Sequence, residues 1–398
     1  MVMVKDMTEL TLKDLWKEVK EERDWWGGIK EEVLAVVKRL CEATMEEEII
    51  EQLRVTRYER GGQRRGYRNG YRYRSLLTEF GLLDTVKVPR DREGMYQPGV
   101  IERYQRRQER VNGLVREMFL SGVSTRKVQE VLRPILEAPI SAQAVSRITR
   151  SLDREVRRFQ ERRLSDGYRY LFLDSVTLKV KGAVGVKKKL VLCAYGIKAD
   201  GTREMISFRQ GTAESEAQWQ AFLDDLYRRG LEGKGLELIT TDGCPGLHQA
   251  LATVYPYVPR QRCWAHKLRN VAAKVKRRHQ KECLKGIRAI YQAENRREAA
   301  ARFHVWAKKW RTLEPEAVTC IEKDLDELLP FLDCPRQHWR KIRTTNAIER
   351  SFREIRRRTR PMSCFQNADS VDRIIYGVIA HLNTNWNGKP LPQFTHNT

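Results

Sequence analysis

Long apolar runs are missing from this 398-residue sequence. The longest strongly apolar stretch, Leu190–Ile197, falls far short of the roughly 20 residues needed to cross a bilayer as a helix. Cysteine is sparse and scattered. The eight residues Cys41, Cys193, Cys244, Cys263, Cys283, Cys320, Cys334 and Cys364 include no CxxC pair. That spacing excludes a disulfide framework and predicts reduced thiols in a cytoplasmic protein. The opening MVMVKDMTELTLKDLW has no apolar core of signal-peptide type, so no membrane role is expected. Acid is scarce too, after the first 52 residues. Those hold 8 Lys/Arg and 14 Asp/Glu, a net of −6, which leaves +30 on the other 346 residues of a chain whose net charge is +24. Such a surplus repels itself in a compact state unless a polyanion meets it. Nucleic acid is the first partner this suggests, and an anionic membrane surface the second. With 41% hydrophobic residues a real core is available, and the length predicts two or three domains.

What is present changes along the chain. Residues 1–52 read as an acidic helical segment. Leu10, Leu12, Leu15, Trp16 and Val19, then Val33, Val36, Val37 and Leu40, fall near helical spacing, with Gly27-Gly28 as a break. Its acidic face reads as solubilising surface, with a helix-mediated dimer contact as the alternative. Residues 53–110 form a basic Arg/Tyr region. Eight arginines lie between Arg54 and Arg74 against one acid, Glu59, and Asn69-Gly70 is a two-residue hairpin signal. A β-ribbon there would turn Arg64, Arg65, Arg68, Arg72 and Arg74 to phosphates and its tyrosines to sugars or bases. A second basic turn follows at VPRDREG, residues 88–94. Residues 111–164 read as three helices in a helix-turn-helix layout, with Ser124-Thr125 and Ser141 as caps. The last helix carries Arg147, Arg150 and Arg154 toward a major groove.

From residue 168 the periodicity turns to strands: Tyr168–Val180, Lys189–Ile197 and Glu204–Gln210 predict a three-strand meander. A helix through Trp219, Phe222 and Leu226, a short strand Leu236–Thr241 and a further helix follow. That order predicts an α/β RNase H-like core, in two parts (165–264 and 336–398), interrupted by a helical insertion over 265–335. Asp174 interrupts an apolar strand, where a carboxylate costs desolvation energy unless a cation offsets it. Asp242 sits at the end of a second strand, a usual place for functional side chains in open α/β sheets. If the strands are neighbours the two acids converge, and Mg²⁺ or Mn²⁺ is the natural occupant between them. Phosphodiester chemistry with two metal ions needs a third acid. Glu349 supplies one, although with Asn346 as N-cap it also has capping-box spacing; Glu354 competes. Arg353, Arg356, Arg357 and Arg358 continue that helix as a phosphate-binding run. Cys263 and His266 form a lone CxxH. A zinc site would need His279 and Cys283 as well, so a packing or hydrogen-bonding role beside the acids is expected.

These motifs, in this order, resemble the Mutator-like DDE transposases of bacterial insertion sequences. They are YERGGQRRGYRNGYR, VPRDREG, STRKVQEVL, LFLDSVTLKVK, LITTDGCPGL, QRCWAHKLRNV and RTTNAIERSFREIRRRTR, from about residue 53 to about 386. The resemblance implies that Asp174, Asp242 and Glu349 are the metal-binding catalytic triad, holding two Mg²⁺ (or Mn²⁺) ions. It implies that Cys263 and His266 are the family's CxxH, which supports the active site without binding zinc. It also implies double-stranded DNA as partner, both terminal inverted repeats and target, and a homodimer that processes two ends together. Ser175 and Thr177 depart from the alanine and aromatic often found there, and neither removes a ligand. The competing readings are a non-catalytic DNA-binding regulator and an RNase H-like nuclease.

Overall fold

The computed structural model describes residues 25–59, 64–182, 185–362, 364–365 and 367–395. The helical positions expected at Leu10–Val19, and Arg60, lie outside the described residues. Contacts divide the chain into two units. One comprises the residues up to Phe119 with Ser124–Thr149; the other comprises Leu120–Val123 with Arg150 onward.

In the N-terminal unit a single helix, α1 (Trp25–Leu53), runs through Gly27-Gly28 without the expected break. It packs on a two-stranded antiparallel hairpin, β1 (Arg68–Thr78) and β2 (Gly81–Asp91). Leu34, Val37, Cys41 and Met45 of α1 meet Leu76, Leu83, Val86 and Val88 of the hairpin, with Ile101. The hairpin turns at Glu79-Phe80, not at Asn69-Gly70. Thr78 pairs with Gly81, which takes φ +138°, and the Thr78 hydroxyl donates to the Gly81 carbonyl at 2.8 Å. Asn69-Gly70 instead makes an irregularity inside β1, between the pairs Arg68↔Asp91 and Tyr71↔Pro89. A turn at Asn69-Gly70 would pair Arg68 with Tyr71 and Tyr67 with Arg72 and bury no apolar side chain, whereas the observed register buries the apolar alternation of β2 against α1. The acidic helix also has a structural task. Glu46 pairs with Arg68 and accepts from Tyr71 at 3.3 Å. Glu48 accepts from the Tyr96 hydroxyl at 2.9 Å, and Glu42 from the Lys87 amide at 2.9 Å.

Helices α2 (Glu109–Leu120), α3 (Thr125–Leu136) and α4 (Ala142–Thr149) follow. Ser124 caps α3 by accepting from the Lys127 amide at 3.3 Å, and Ser141 accepts from the Ala144 amide at 3.2 Å. The third helix of the sequence reading is interrupted. α4 ends at Thr149, a 3₁₀ turn spans Arg150–Leu152, and α5 (Asp153–Glu161) belongs to the second unit.

The C-terminal unit is built on a mixed five-stranded sheet: β3 (Tyr168–Lys181), β4 (Val186–Lys198), β5 (Arg203–Gly211), β6 (Leu238–Thr241) and β7 (Arg260–Arg262), in the order β5-β4-β3-β6-β7. The first three strands are the expected antiparallel meander, and β6 and β7 add in parallel beyond β3. Leu171 and Leu173 of β3 with Leu192 and Ala194 of β4 face the helices α6 (Glu216–Arg228) and α7 (Pro245–Val254). Trp219, Phe222, Leu223, Leu226, Leu247 and Leu251 fill that core. The other face packs on α14 (Asn346–Thr359) and α15 (Ala368–Trp386). Between β7 and α14 lie the helices α8 (Trp264–Lys274), α9 (Arg277–Ile290), α10 (Arg296–Trp310), α11 (Pro315–Glu322), α12 (Leu325–Leu328) and α13 (Trp339–Ile342). Asp324 ties this helical set to the sheet, pairing with Lys267 of α8 and, at 2.6 Å, with Arg262 of β7. α16 (Pro392–Thr395) closes the described chain.

Candidate active site

The pairing of β3 with β6 decides where the two aspartates fall. Leu173 pairs with Thr241 in parallel register, so Asp174 and Asp242 are the next residues on adjacent strands, which lie about 4.8 Å apart. Leu173 faces the α6–α7 core, so Asp174 turns to the opposite face, where α14 packs. Its side chain is buried, at 8% exposure, and accepts the Ser175 amide at 2.7 Å. Burial first, and the neighbouring charge of Asp242 second, push its carboxyl up to about 7 from 3.8; Glu349 adds in the same direction. Asp242 is fixed by a turn. Its carboxylate accepts the Cys244 amide at 3.0 Å, and Gly243 takes φ +91°. An added Cβ at Gly243 would stand 2.1 Å from Nε of Arg262, whose guanidinium donates to the Gly243 carbonyl at 2.7 Å.

Cys263 follows β7 and caps α8, and its amide donates to the Thr241 carbonyl at 2.8 Å. The Thr345 amide and hydroxyl donate to its sulfur at 3.3 and 3.4 Å. Burial pushes this thiol up, but hydrogen bonds from His266 and Thr345 outweigh it and hold the group below its usual range. The hydrogen bond to Cys263 in turn raises His266, and Asp174 adds to that. Cys263 and His266 thus form a polarised pair beside the acids. His279 pairs with Glu314 at 2.7 Å, so it is engaged within the helical set.

Glu349 does not have the capping-box position that its spacing suggested. Thr345 is the N-cap of α14 and Asn346 its first residue, and Thr345 makes no side-chain capping bond. One turn in, Glu349 faces α8. Its Oε1 accepts from Arg269 at 3.1 Å, and lies 3.6 Å from His266 Nε2 and 3.4 Å from the Thr345 hydroxyl oxygen. Glu354, the competing acid, is engaged by Arg357 and Arg358 at 2.8 and 2.7 Å. Arg269 and Thr345 had no signal in the sequence, because their meaning depends on α8 and α14 meeting.

A buried and a half-buried carboxylate that repel each other are a donor pair suited to a hard divalent cation. As the side chains stand, no three His, Cys, Asp or Glu groups among the described residues converge closely enough to hold an ion. Glu349 is drawn toward Arg269 instead.

The arginines proposed for DNA fall in several settings. Arg64 and Arg65 are exposed, and Arg64 stacks on Tyr67 at 4.2 Å. Arg68 is committed to Glu46. Arg72, Arg74 and Arg147 line a groove of about 880 Å³ in the N-terminal unit, together with Arg106, Arg107, Tyr104 and Gln143. Burial, then the charges of Arg147 and Arg106, hold Arg107 below its ordinary range. Burial, then Arg72 and Arg106, do the same to Arg74. Arg150 is exposed in its 3₁₀ turn, and Arg353, Arg356 and Arg357 are exposed along α14, while Arg358 is half-buried beside Glu354. No described helix is long and apolar enough to cross a membrane.

Compared with known proteins, residues 7–389 match the family described as "Transposase, Mutator family". The chain is 36% identical over 359 residues to the "Transposase for insertion sequence element ISRM5" of Rhizobium meliloti, covering 90% of this chain and 88% of that one. It is 37% identical over 332 residues to the transposase for IS406 of Burkholderia multivorans, covering 83% and 84%. Against the transposase for IS256 in transposon Tn4001 of Staphylococcus aureus the identity is 34% over 349 residues, covering 86% and 87%.

Proposed function

The chain belongs to the Mutator family of transposases, and on that premise we propose that it cuts DNA at the ends of an insertion sequence and joins them to a target, using Asp174, Asp242 and Glu349. The observation that carries this is the buried Asp174 carboxyl, raised to about 7 in the middle of β3 beside Asp242, which follows the end of the adjacent parallel strand β6. The sheet order, three antiparallel strands followed by two parallel ones, supports an RNase H-like core.

In this reading Asp174 and Asp242 would hold divalent cations, with Glu349, now on Arg269, as the third carboxylate. Mg²⁺ bound there supplies charge stabilisation to the attacking and leaving oxygens of the phosphodiester. The reaction is hydrolysis, in which a water oxygen bonds to phosphorus and the 3′-oxygen leaves. In-line attack of the freed 3′-hydroxyl on a target phosphodiester follows: the 3′-oxygen bonds to the target phosphorus, the target strand's own 3′-oxygen leaves, and the attacking hydroxyl's proton ends on that leaving oxygen by way of solvent. His266, whose imidazole is raised by its hydrogen bond to Cys263, sits where it can offer a hydrogen bond to a phosphate oxygen. The groove of Arg72, Arg74, Arg107 and Arg147, with Arg64 and Arg65, engages the backbone of the terminal repeats. Arg150 and the α14 arginines Arg353, Arg356, Arg357 and Arg358 hold DNA near the acids. Two ends must be processed together, which makes a homodimer the expected working form.

A duplex carrying one end of the element tests the reading. Wild-type protein with Mg²⁺ is expected to nick it, and Asp174→Ala to bind it without cutting. Strand transfer retained by Asp174→Ala would exclude the assignment. Binding without any metal-dependent cutting by wild type would favour a regulator.

A further inference from the structure

α14 and the start of α8 carry more than the candidate active site. Thr345, Glu349, Cys263 and His266 belong to that site. Asn346, Arg350 and Arg353 of α14 and Trp264 of α8 line a separate cavity of about 830 Å³ within the C-terminal unit. The two spaces share these elements as a common wall, joined where the Trp264 amide donates to the Arg343 carbonyl at 3.1 Å.

The wall chemistry is specific. Arg203, Arg340, Lys341, Arg343, Arg350 and Arg353 all line the cavity, and its one acid, Glu354, is already engaged by Arg357 and Arg358. Among the described residues none of the six cations is paired with a carboxylate. Aromatic rings stand between them. Arg203 lies over Trp386 at 5.2 Å and Arg343 over Tyr291 at 4.5 Å. Tyr291 packs on Trp264 at 5.1 Å, and Tyr195 meets Trp386 edge-on at 5.7 Å. Burial, and the charges of Arg350, Arg203 and Arg340, hold the Lys341 ammonium below its ordinary range. The volume lies within the range of sites that enclose a small molecule, too small for a duplex and roomy enough for a nucleotide.

We propose that this cavity receives an unpaired nucleotide of the DNA strand being processed, with its phosphate on Lys341, Arg343 and Arg350 and its base stacked on Trp386 or Tyr291. Unpaired strands are held by this combination of cations along the backbone and flat rings under the bases, and enzymes that act on a strand commonly draw a nucleotide out of the stack. A free nucleotide offers the same chemistry. The position, sharing a wall with the candidate active site, favours a nucleotide still attached to its strand. The inference rests on the reading of DNA as substrate.

Fluorescence anisotropy with the full chain tests it, using labelled oligothymidylate, an abasic strand of equal length and a duplex. Replacing both Lys341 and Arg343 with Ala is expected to weaken oligothymidylate binding about 10-fold or more. It should also reduce the log–log salt slope on that strand by about 1.4, two phosphates at roughly 0.7 each, and leave duplex binding within about twofold. Trp386→Ala is expected to lose about 10-fold on oligothymidylate and nothing on the abasic strand. Lys341→Arg, which keeps the charge, should retain single-strand affinity, so its failure would count against the proposal. Equal losses on duplex and single strand overturn it, as does wild-type binding of the abasic strand as tight as that of oligothymidylate. Displacement by micromolar dAMP identifies a free-nucleotide site and overturns the strand assignment. Wild-type protein that binds duplex but no single strand overturns this inference alone; protein that binds neither overturns the DNA reading with it.

Discussion

Asp174 concentrates the argument at the scale of single residues. It sits in an apolar strand with Phe172 and Val176 on its own face, and that conflict between residue and setting made it legible in the sequence. Its folded-state carboxyl, raised to about 7 from 3.8, binds protons better than the unfolded chain does. The associated stability is therefore complete below about pH 4 and is lost as pH rises toward 7. Asp174→Asn removes this penalty. In metal-free buffer the variant should be more stable than wild type by on the order of 2–4 kcal/mol at pH 8, and by almost nothing at pH 4, in urea titrations. No gain at pH 8 would mean that the carboxylate is not under the proposed strain. Glu349 was ambiguous because N-terminal helix spacing makes any early glutamate resemble a cap, and only the start of α14 at Asn346 removes that reading. The Cys263–His266 pair yields a second prediction. Cys263→Ser removes the partner that raises His266, so NMR titration should show that imidazole releasing its proton at lower pH than in wild type. An unchanged titration would leave Cys263 a packing residue.

Elements were read from the sequence in proportion to their periodicity. The meander β3–β5, the helix α6 under Ser215 and the strand β6 have clear alternation or caps. β7, with the sequence Arg260-Gln261-Arg262, has no apolar signal at all and exists because β6 offers a free parallel edge. The hairpin was misplaced for a related reason. Asn69-Gly70 is a strong local signal, but burial of Leu76, Leu83, Val86 and Val88 against α1 outweighs it. The acids of α1 carry part of that packing. Glu46→Gln should strip the charge partner from Arg68, two of whose guanidinium nitrogens are buried without another partner. A loss of about 1–3 kcal/mol in the N-terminal unit is expected, measured by denaturant titration. Unchanged stability would return the acidic helix to a solubilising role. The Asp242-Gly243 turn gives another test. Gly243→Ala strains a left-handed residue and displaces Arg262, so cleavage should fall about 10-fold or more while end binding stays the same. Full activity would show that the turn does not position Asp242.

At the scale of the whole molecule, the net charge of +24 resolves into separate fields. Two acids of α1, Glu42 and Glu46, hold the hairpin. A groove of five crowded arginines occupies the N-terminal unit, and one basic cavity adjoins α14 in the C-terminal unit. Composition announced a polyanion, but only the fold shows which arginines are free to meet one: Arg68 is committed to Glu46 and Arg358 to Glu354. If Arg72, Arg74, Arg106, Arg107 and Arg147 each neutralise a phosphate, they should contribute about −4 to −5 to the log–log salt slope for duplex binding. Arg107→Ala should reduce the magnitude of that slope by about 1, and an unchanged slope would remove the groove from the interface.

The central claim is that strand cleavage runs through a carboxylate centre made by Asp174, Asp242 and Glu349. Its most direct test is single-turnover cleavage of a DNA end by Asp242→Cys, with Mg²⁺ and then with Mn²⁺, in protein shown to bind that end normally. A thiolate is a poor ligand for Mg²⁺ and a more acceptable one for Mn²⁺. The account predicts cleavage lost with Mg²⁺ and largely restored with Mn²⁺. Equal rates with the two ions, or no cleavage with either, would contradict it.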